Sequence, residues 1–479
     1  MRILPFALLA TVALVAPSCS KDPTLPGQIT GDGRPPPSGG GGDGGATTDG
    51  GGVHDGSTTS CIDTPTLLAG FAPSRILYVA ADGNDSNDGL SRSTAWRSLA
   101  KLGAELLPGD RVDVFAGTFD CSASIGVAGT ATKPVWIRSA DGPKKAVFAC
   151  GGAPYGFHLV SASYVVIDGF EIDAANLDGV HIDSGAGPTF TKLSDHIVVV
   201  NNHIHGTGAA GVRATQATNV DVFSNEIDTT EAFGPNLDAQ AIDLVAVDGA
   251  RVVGNTIHDV RNNVAIQVRG GAKNALVAAN VLTNNLEAIR LGGNTDRGAF
   301  LPPDSAVEAK NALAHSNVIT GGTGIAFAAI GCDSCVFANN TVAITAATQP
   351  VRALSGAAGT SSTASVSHTI GLHLVNNIFS FSSVTPVNLL AIASTEEAGF
   401  VQSNNLFFLA TGSVSSITSD VAIGGTGTIV DKDPLFARPA SGDYSLAAGS
   451  PAAGAGTALP AVRYTATGAC RTVFDIGAY

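Results

Sequence analysis

From residue 165 onward, apolar and polar positions alternate in short runs, such as HIVVV at 196–200 and NVDVF at 219–223. A period of two sends successive side chains to opposite faces of a strand. Between the runs a short phrase recurs: an Asn followed by two positions that lean apolar. It falls at Asn202, Asn225, Asn255, Asn280, Asn317, Asn340, Asn377 and Asn405, at spacings of 23, 30, 25, 37, 23, 37 and 28 residues. No segment between these asparagines shows helical periodicity of any length, and Gly and Asn punctuate the runs as turn formers do. An irregular repeat built from short strands predicts an all-β parallel solenoid. One coil cannot bury its own apolar face, but a stack of coils can. Coils would rise by about 4.8 Å, the inter-strand spacing. The repeated Asn then falls at one turn of every coil, where its amide can bond to the Asn of the next coil as a ladder.

One strand of each unit aligns by a Gly or Ala followed by alternating residues: GVHID (179–183), GVRAT (211–215), AIDLV (241–245), AIQVR (265–269), AIRLG (288–292) and GIAFA (324–328). The second and fourth positions are apolar and should point inward. The third and fifth then point outward. The third column reads His181, Arg213, Asp243, Gln267, Arg290, Ala326, and the fifth reads Asp183, Thr215, Val245, Arg269, Gly292, Ala328. This concentration of charge stands out in a chain with only 14% charged residues, against about a quarter in ordinary domains. A face of five such rows is about 20 Å long, the length of several linked sugars. Arg213, Arg269 and Arg290 can hold carboxylates or sulfates bidentately. Gln267 offers a neutral amide to a sugar hydroxyl. Segments 229–240 and 294–310 are long enough to wall a groove. The bland alternative is a solvated face whose charges pair with each other, Arg213 with Asp243 for instance.

The 26 basic and 40 acidic side chains give a net charge of −14, which excludes nucleic acid as the expected partner. No run of eighteen apolar residues occurs, so no span of the mature chain is expected in a membrane. Residues 1–18 read as an export signal: Arg2, then a short apolar stretch from Leu4 to Val15, too short for a membrane helix. Ala16-Pro17-Ser18-Cys19 resembles a bacterial lipobox, with Cys19 the residue to be lipidated. Cleavage that leaves Cys19 as a thiol is the alternative. Residues 19–62, rich in Gly and Pro, form a flexible tether. The expected location is the outer membrane or cell surface, with the membrane touched only through a lipid anchor, or secretion if the lipobox is unused. Once Cys19 is set aside, six cysteines remain. An even number after an export signal points to disulfides. Cys121 and Cys150 follow strands one coil-length apart, which brings their Cα atoms to about 5 Å, within bridging range. Cys332 and Cys335 read as a local disulfide, because no second pair completes a zinc set. Cys61 would then join Cys470.

With the repeat, two terminal segments carry a resemblance. YVAADGNDSNDGLSRSTAWRSLAKL (78–102) with PGDRVDVFAGTF (108–119), and DPLFARPASGDYSLAAGSPAAGAG (433–456) with DIGAY (475–479), resemble the opening and closing segments of secreted proteins related to polysaccharide lyase family nine. The repeat is similar to the right-handed parallel β-helix of the pectate-lyase-like superfamily. The resemblance implies an N-terminal cap at 63–108 with an amphipathic helix. Trp96, Leu99, Leu102 and Leu106 stand at helical spacing to plug the first coil. A β-helix over 109–436 and a closing segment over 437–479 would follow.

For function the resemblance implies action on, or binding of, extracellular polysaccharide, and a uronic-acid lyase in particular. A non-catalytic glycan-binding or structural surface lipoprotein is the alternative. Family-nine lyases use a Lys base beside calcium, yet no Lys lies between Lys192 and Lys273. Related lyases use Arg, which nominates Arg269 and Arg290 with Asp243 as partner or acid. His181, Asp183, Arg213 and Gln267 would bind substrate. Asp183 and Asp243 lie about 12 Å apart by strand geometry, too far for inverting hydrolysis. NLDGVHI (176–182) resembles part of the polygalacturonase pattern, but the paired Asp and Gly-His-Gly of that family are absent. The acidic turn 82–89 admits calcium, though it lacks the EF-hand order and reads first as turn chemistry. No other metal site is expected, and the chain is expected to act as a monomer. Because Arg269 and Arg290 read as exposed, their loss is expected to change stability by no more than about 0.5 kcal/mol.

Overall fold

A computed structural model describes residues 60–479, except 122, 186–191, 229, 231–238, 301–306, 346–347, 359–364 and 383–384. The segment read as an export signal, Cys19 and nearly all of the segment read as a tether lie outside the described residues. The alternating runs form strands that pair in parallel, coil upon coil, on three faces. The first face runs through Tyr155–Val160, Asp178–Asp183, the first half of Ala210–Phe223, Gln240–Asp248, Val264–Arg269, Glu287–Gly292, Ile325–Ile330 and Val351–Leu354. The second begins with Arg75–Val79 paired to Asp110–Val114 and continues to Val401–Ser403. The third is a separate sheet of twelve short strands, from Gly117–Phe119 to Ile429–Val430. Strand Ala210–Phe223 turns the corner from the first face to the second without a break. Stacking therefore starts inside the segment assigned to the cap, because Arg75–Val79 already supplies a paired strand.

Inward positions fill one continuous core. Val180, Ile182, Val212, Ala214, Ile242, Leu244, Ile266, Val268, Ile289 and Leu291 are fully buried. At roughly 1.5–3 kcal/mol for each large side chain, this axial column holds the coils together. The first position of each row is also inside. A Cβ added at Gly179 would lie 2.3 Å from Ile204 Cγ2, and one at Gly211 would lie 2.5 Å from Ile227 Cγ2. The chain bends into the core at that point, which is why only Gly or Ala stands there.

The asparagine ladder forms at the turn between the second and third faces. Asn225 Nδ2 donates to Asn255 Oδ1 at 3.0 Å and to the Val199 carbonyl at 2.9 Å. Asn255 Oδ1 also accepts the Asn225 backbone N–H at 3.0 Å. The same pattern repeats from Asn202 to Asn405, with every amide buried. The residue before each ladder Asn has positive φ: Asn201, Ser224, Gly254, Ala279, Ser316, Asn339, Asn376 and Asn404. Left-handed backbone favours Gly and Asn, so the recurring Asn-Asn and Gly-Asn pairs record the turn itself.

The ends are closed by different means. Trp96, Leu99, Leu102 and Leu106 are all buried, but the helix is short: a 3-10 turn at Leu99–Lys101, then Leu102–Glu105. Trp96 instead bridges to Val79. In the acidic turn, Asp85 accepts the Arg97 and Ser98 N–H groups, Asp88 accepts that of Leu90, and Asp82 pairs with Arg92. These carboxylates cap turns. The closing segment runs back along the outside of the solenoid. Leu459 and Val462 pack on Leu313 and Val336, and Tyr464 packs on Phe223 and Val253. Disulfides join Cys61–Cys470, Cys121–Cys150 and Cys332–Cys335, the three pairs read from the sequence, with Cα atoms 4.8, 4.7 and 6.1 Å apart. Among the described residues, no helix is long and apolar enough to cross a membrane.

Candidate functional site

The first face carries the charged column. Strand pairing aligns His158, His181, Arg213, Asp243, Gln267, Arg290, Ala328 and Arg352 in one row across the coils. The last aligned row sits two residues farther along than the sequence pattern suggests. Phe327, not Ile325, pairs with Ile289, so Ala328 occupies the third position and Ile330 the fifth, while Ala326 points inside. The inward place accepts Phe as readily as Ile, and the two alanines gave no signal to separate the registers.

Beneath the cations lies a layer of carboxylates. Arg269 grips Asp243 with both arms, Nε at 2.9 Å and a terminal nitrogen at 2.8 Å, and Arg213 reaches the same carboxylate at 3.1 Å. Arg213 also donates from Nε to Asp178 at 3.2 Å, and His181 Nδ1 meets Asp178 at 2.7 Å. Asp183 lies 2.9 Å from His158 Nε2 and 3.2 Å from His181 Nε2. Farther along, Arg290 grips Glu287 at 2.8 and 2.7 Å, and Arg352 meets that carboxylate at 2.7 Å. Gln267 links the two halves, accepting from Gln240 at 3.4 Å and donating to the Gly292 carbonyl at 3.2 Å. Asp243, Asp178 and Glu287 retain 0–3% side-chain exposure, whereas the four arginines retain 17–21%.

Protonation follows from this packing. Burial pushes the Asp243 carboxyl up, but Arg269 and Arg213 outweigh it and the net direction is down. Asp243 is therefore the electrostatic partner of both arginines and is ill suited to donate a proton. Burial pushes His181 down, yet hydrogen bonds to Asp178 and Asp183 prevail and raise it to about 8. His181 is a cation at neutral pH. For Asp183 burial is likewise overcome, by His158 and His181, so its pKa falls. Burial, then Asp178 and Asp183, raise Tyr155, which stays protonated. Tyr155 stacks on His181 with centroids 4.5 Å apart and lies 4.8 Å from His158, giving one end of the face an aromatic patch.

The structure thus brings together His181, Asp183, Arg213, Asp243, Gln267, Arg269 and Arg290. It adds Tyr155, His158, Asp178, Gln240, Glu287 and Arg352. Asp178, Gln240 and Glu287 each stand one residue before an aligned row, so that column carried the signal. Strict alternation would place it inside, but the bend at the following Gly or Ala turns it onto the face. Lys273 pairs with Asp248 at 3.6 Å, off the column. At the two ends of segment 294–310, of which 301–306 lie outside the described residues, buried Glu308 accepts the Gly270 and Thr295 N–H groups. Among the described residues, three sets of donors stand close enough to share a metal ion: His158, His181 and Asp183 here, and two overlapping sets on the third face.

The family model described as "right handed beta helix region" matches residues 149–300. The protein is a right-handed parallel β-helix of pectate-lyase-like fold. Among solved structures, this β-helix is similar to pectate lyase Pel9A, with TM-score 0.55 and 17% identity over 86% of this chain and 98% of that one. It is also similar to XylC in complex with xylose, with TM-score 0.46 and 9% identity over 84% of this chain and 98% of that one. A third similar structure is an alginate lyase from Paenibacillus sp. str. FPU-7, with TM-score 0.38 and 18% identity over 57% of this chain and 95% of that one. No curated protein matches the chain in sequence.

Proposed function

We propose that this β-helix binds an acidic extracellular polysaccharide along its first face. One observation carries the reading: a row of four partly exposed Arg side chains overlies carboxylates sealed from solvent. A polymer laid across the coils meets the arginines and not their buried carboxylates, with only Asp183 partly exposed at the histidine end. Tyr155 and the adjoining imidazoles offer a ring for stacking a sugar. Three disulfides suit an oxidising, exported setting, and a lipid on Cys19 would hold the protein at the outer membrane or cell surface. The test is affinity electrophoresis in gels containing polygalacturonate, alginate or a neutral glucan. Retardation in the acidic gels alone, weakening with salt, is the expected result. Equal mobility in all three would sink the reading.

Elimination of uronate chains is a second reading, favoured by the fold shared with a pectate lyase. One of Arg269 and Arg290 would neutralise the substrate carboxylate, the other would take the C5 proton, and His181, already protonated, would give a proton to the leaving glycosidic oxygen. Release of unsaturated uronate, followed by ultraviolet absorbance, separates a lyase from a binder.

A further inference from the structure

The third face carries a pattern that the first does not explain. Four successive short strands read Glu171-Ile172-Asp173, His203-Ile204-His205, Glu226-Ile227-Asp228 and Thr256-Ile257-His258, paired in register. The four isoleucines are fully buried. Their neighbours point outward, so acidic, imidazole, acidic and imidazole rows stack about 4.8 Å apart. His203 Nε2 lies 2.8 Å from Asp228, and His205 Nε2 lies 3.3 Å from Glu171. The His203 and His205 rings are 4.4 Å apart. Glu171, His203 and His205 each offer a donor atom within 4.8 Å of the others, and His203 belongs to a second such set with Glu226 and Asp228.

We infer that this patch binds one divalent transition-metal ion, of which zinc is the type, through Glu171, His203 and His205. A tetrahedral ion with bonds near 2.0–2.1 Å needs donors about 3.3 Å apart, so small side-chain rotations close the set. Two imidazoles two residues apart on one strand face the same side. Their nitrogen donors select zinc-like ions over calcium or magnesium, which prefer all-oxygen shells. His205 Nδ1 stands 3.3 Å from Asp173. If Nδ1–H donates to that carboxylate, the lone pair of Nε2 turns toward Glu171 and the ion. A carboxylate that orients a metal-binding imidazole in this way is a recurrent support for such sites. Asp228 adds negative charge on the neighbouring coil, where Glu226 is paired with Lys144. The site would clamp two consecutive coils, on a different face of the solenoid from the charged column.

The test uses the full chain stripped with a chelator and titrated with Zn2+ alone by calorimetry. One equivalent bound at micromolar or lower concentration is expected, with Ca2+ bound at least 100-fold more weakly. His205→Ala and Glu171→Gln should each lower affinity by more than 10-fold, and Asp173→Asn by about 10-fold. His181→Ala, on the first face, should bind as the native protein does. Co2+ titrated into the native chain should give the intense visible bands of a four-coordinate site, lost in His205→Ala. That readout holds even if another variant folds poorly. Absence of saturable Zn2+ binding would show that the patch holds only imidazole–carboxylate pairs. Loss of binding in His181→Ala with retention in His205→Ala would place the ion on the first face. Either result overturns the inference.

Discussion

Removing Arg269 tests whether the first face is a surface or a sealed network. The Asp243 carboxylate is wholly buried and receives two bonds from Arg269, at 2.9 and 2.8 Å, and one contact from Arg213 at 3.1 Å. Arg269→Ala removes the bidentate partner and leaves a buried anion with one guanidinium. Stripping one member from a buried pair costs about 3–5 kcal/mol. The remaining Arg213 contact lowers the expected loss to about 2–3 kcal/mol. This exceeds the 0.5 kcal/mol or less expected for an exposed side chain, because the partner is sealed even though the arginine is not. Urea unfolding should show the loss as a lower midpoint at unchanged slope. Arg269→Ala combined with Asp243→Ala should cost less than the sum of the single changes, by about 1–3 kcal/mol, since the stranded charge is gone. Arg269→Lys should fall between, keeping charge but losing the fork. If Arg269→Ala stays within about 0.5 kcal/mol of the native protein and shows no coupling to Asp243, the network argument fails.

Asn255→Ala removes hydrogen bonds to Asn280, Asn225 and the Val222 carbonyl and strands buried partners at about 1–3 kcal/mol each. A loss of about 3–5 kcal/mol in unfolding free energy is expected, and one under about 1 kcal/mol would deny the ladder its structural role. His315 is buried against Tyr464, and burial with the nearby Arg471 lowers its pKa to about 3. Its unfolded form takes up a proton below about 6.5 while the folded form does not, so stability rises with pH between these values and falls on acidification. The loss is about 2 kcal/mol at pH 5, with His373, also lowered by burial, acting in the same direction. His181 acts oppositely: its contribution is complete below about 6.5 and disappears as pH rises through about 8. Unfolding midpoints of His315→Asn should therefore lose much of the slope between pH 5 and 6.5, and an unchanged slope would contradict the assignment.

The fold was legible because each coil writes the same physical demand into the chain. The ladder asparagines recur since each follows a left-handed residue and bonds to the next. The column from His181 to Arg290 was legible because alternation holds within a strand. Asp178 and Glu287 escaped because the bend at Gly179 and Ala288 breaks that alternation. The pairing of Arg213 with Asp243 was legible as an alternative, but not the full burial of that carboxylate, since Arg269 on the following coil completes its cover. The third-face histidines sit in strands of three residues, too short to show a period. Only stacking reveals that HIH lies between two EID rows.

The Cys61–Cys470 bond has a mechanical meaning. It closes a covalent ring across 409 residues of sequence, with its two ends only 4.8 Å apart at Cα. A pull applied between residue 60 and residue 479 travels through that sulfur bridge and the nine residues that follow it. The tension never enters the stacked coils, whose hydrogen bonds would otherwise open one turn at a time like a zip. Under oxidising conditions a single molecule stretched from its ends should yield only a short extension before the handle fails. After reduction the same pull should unwind the coil in a series of steps.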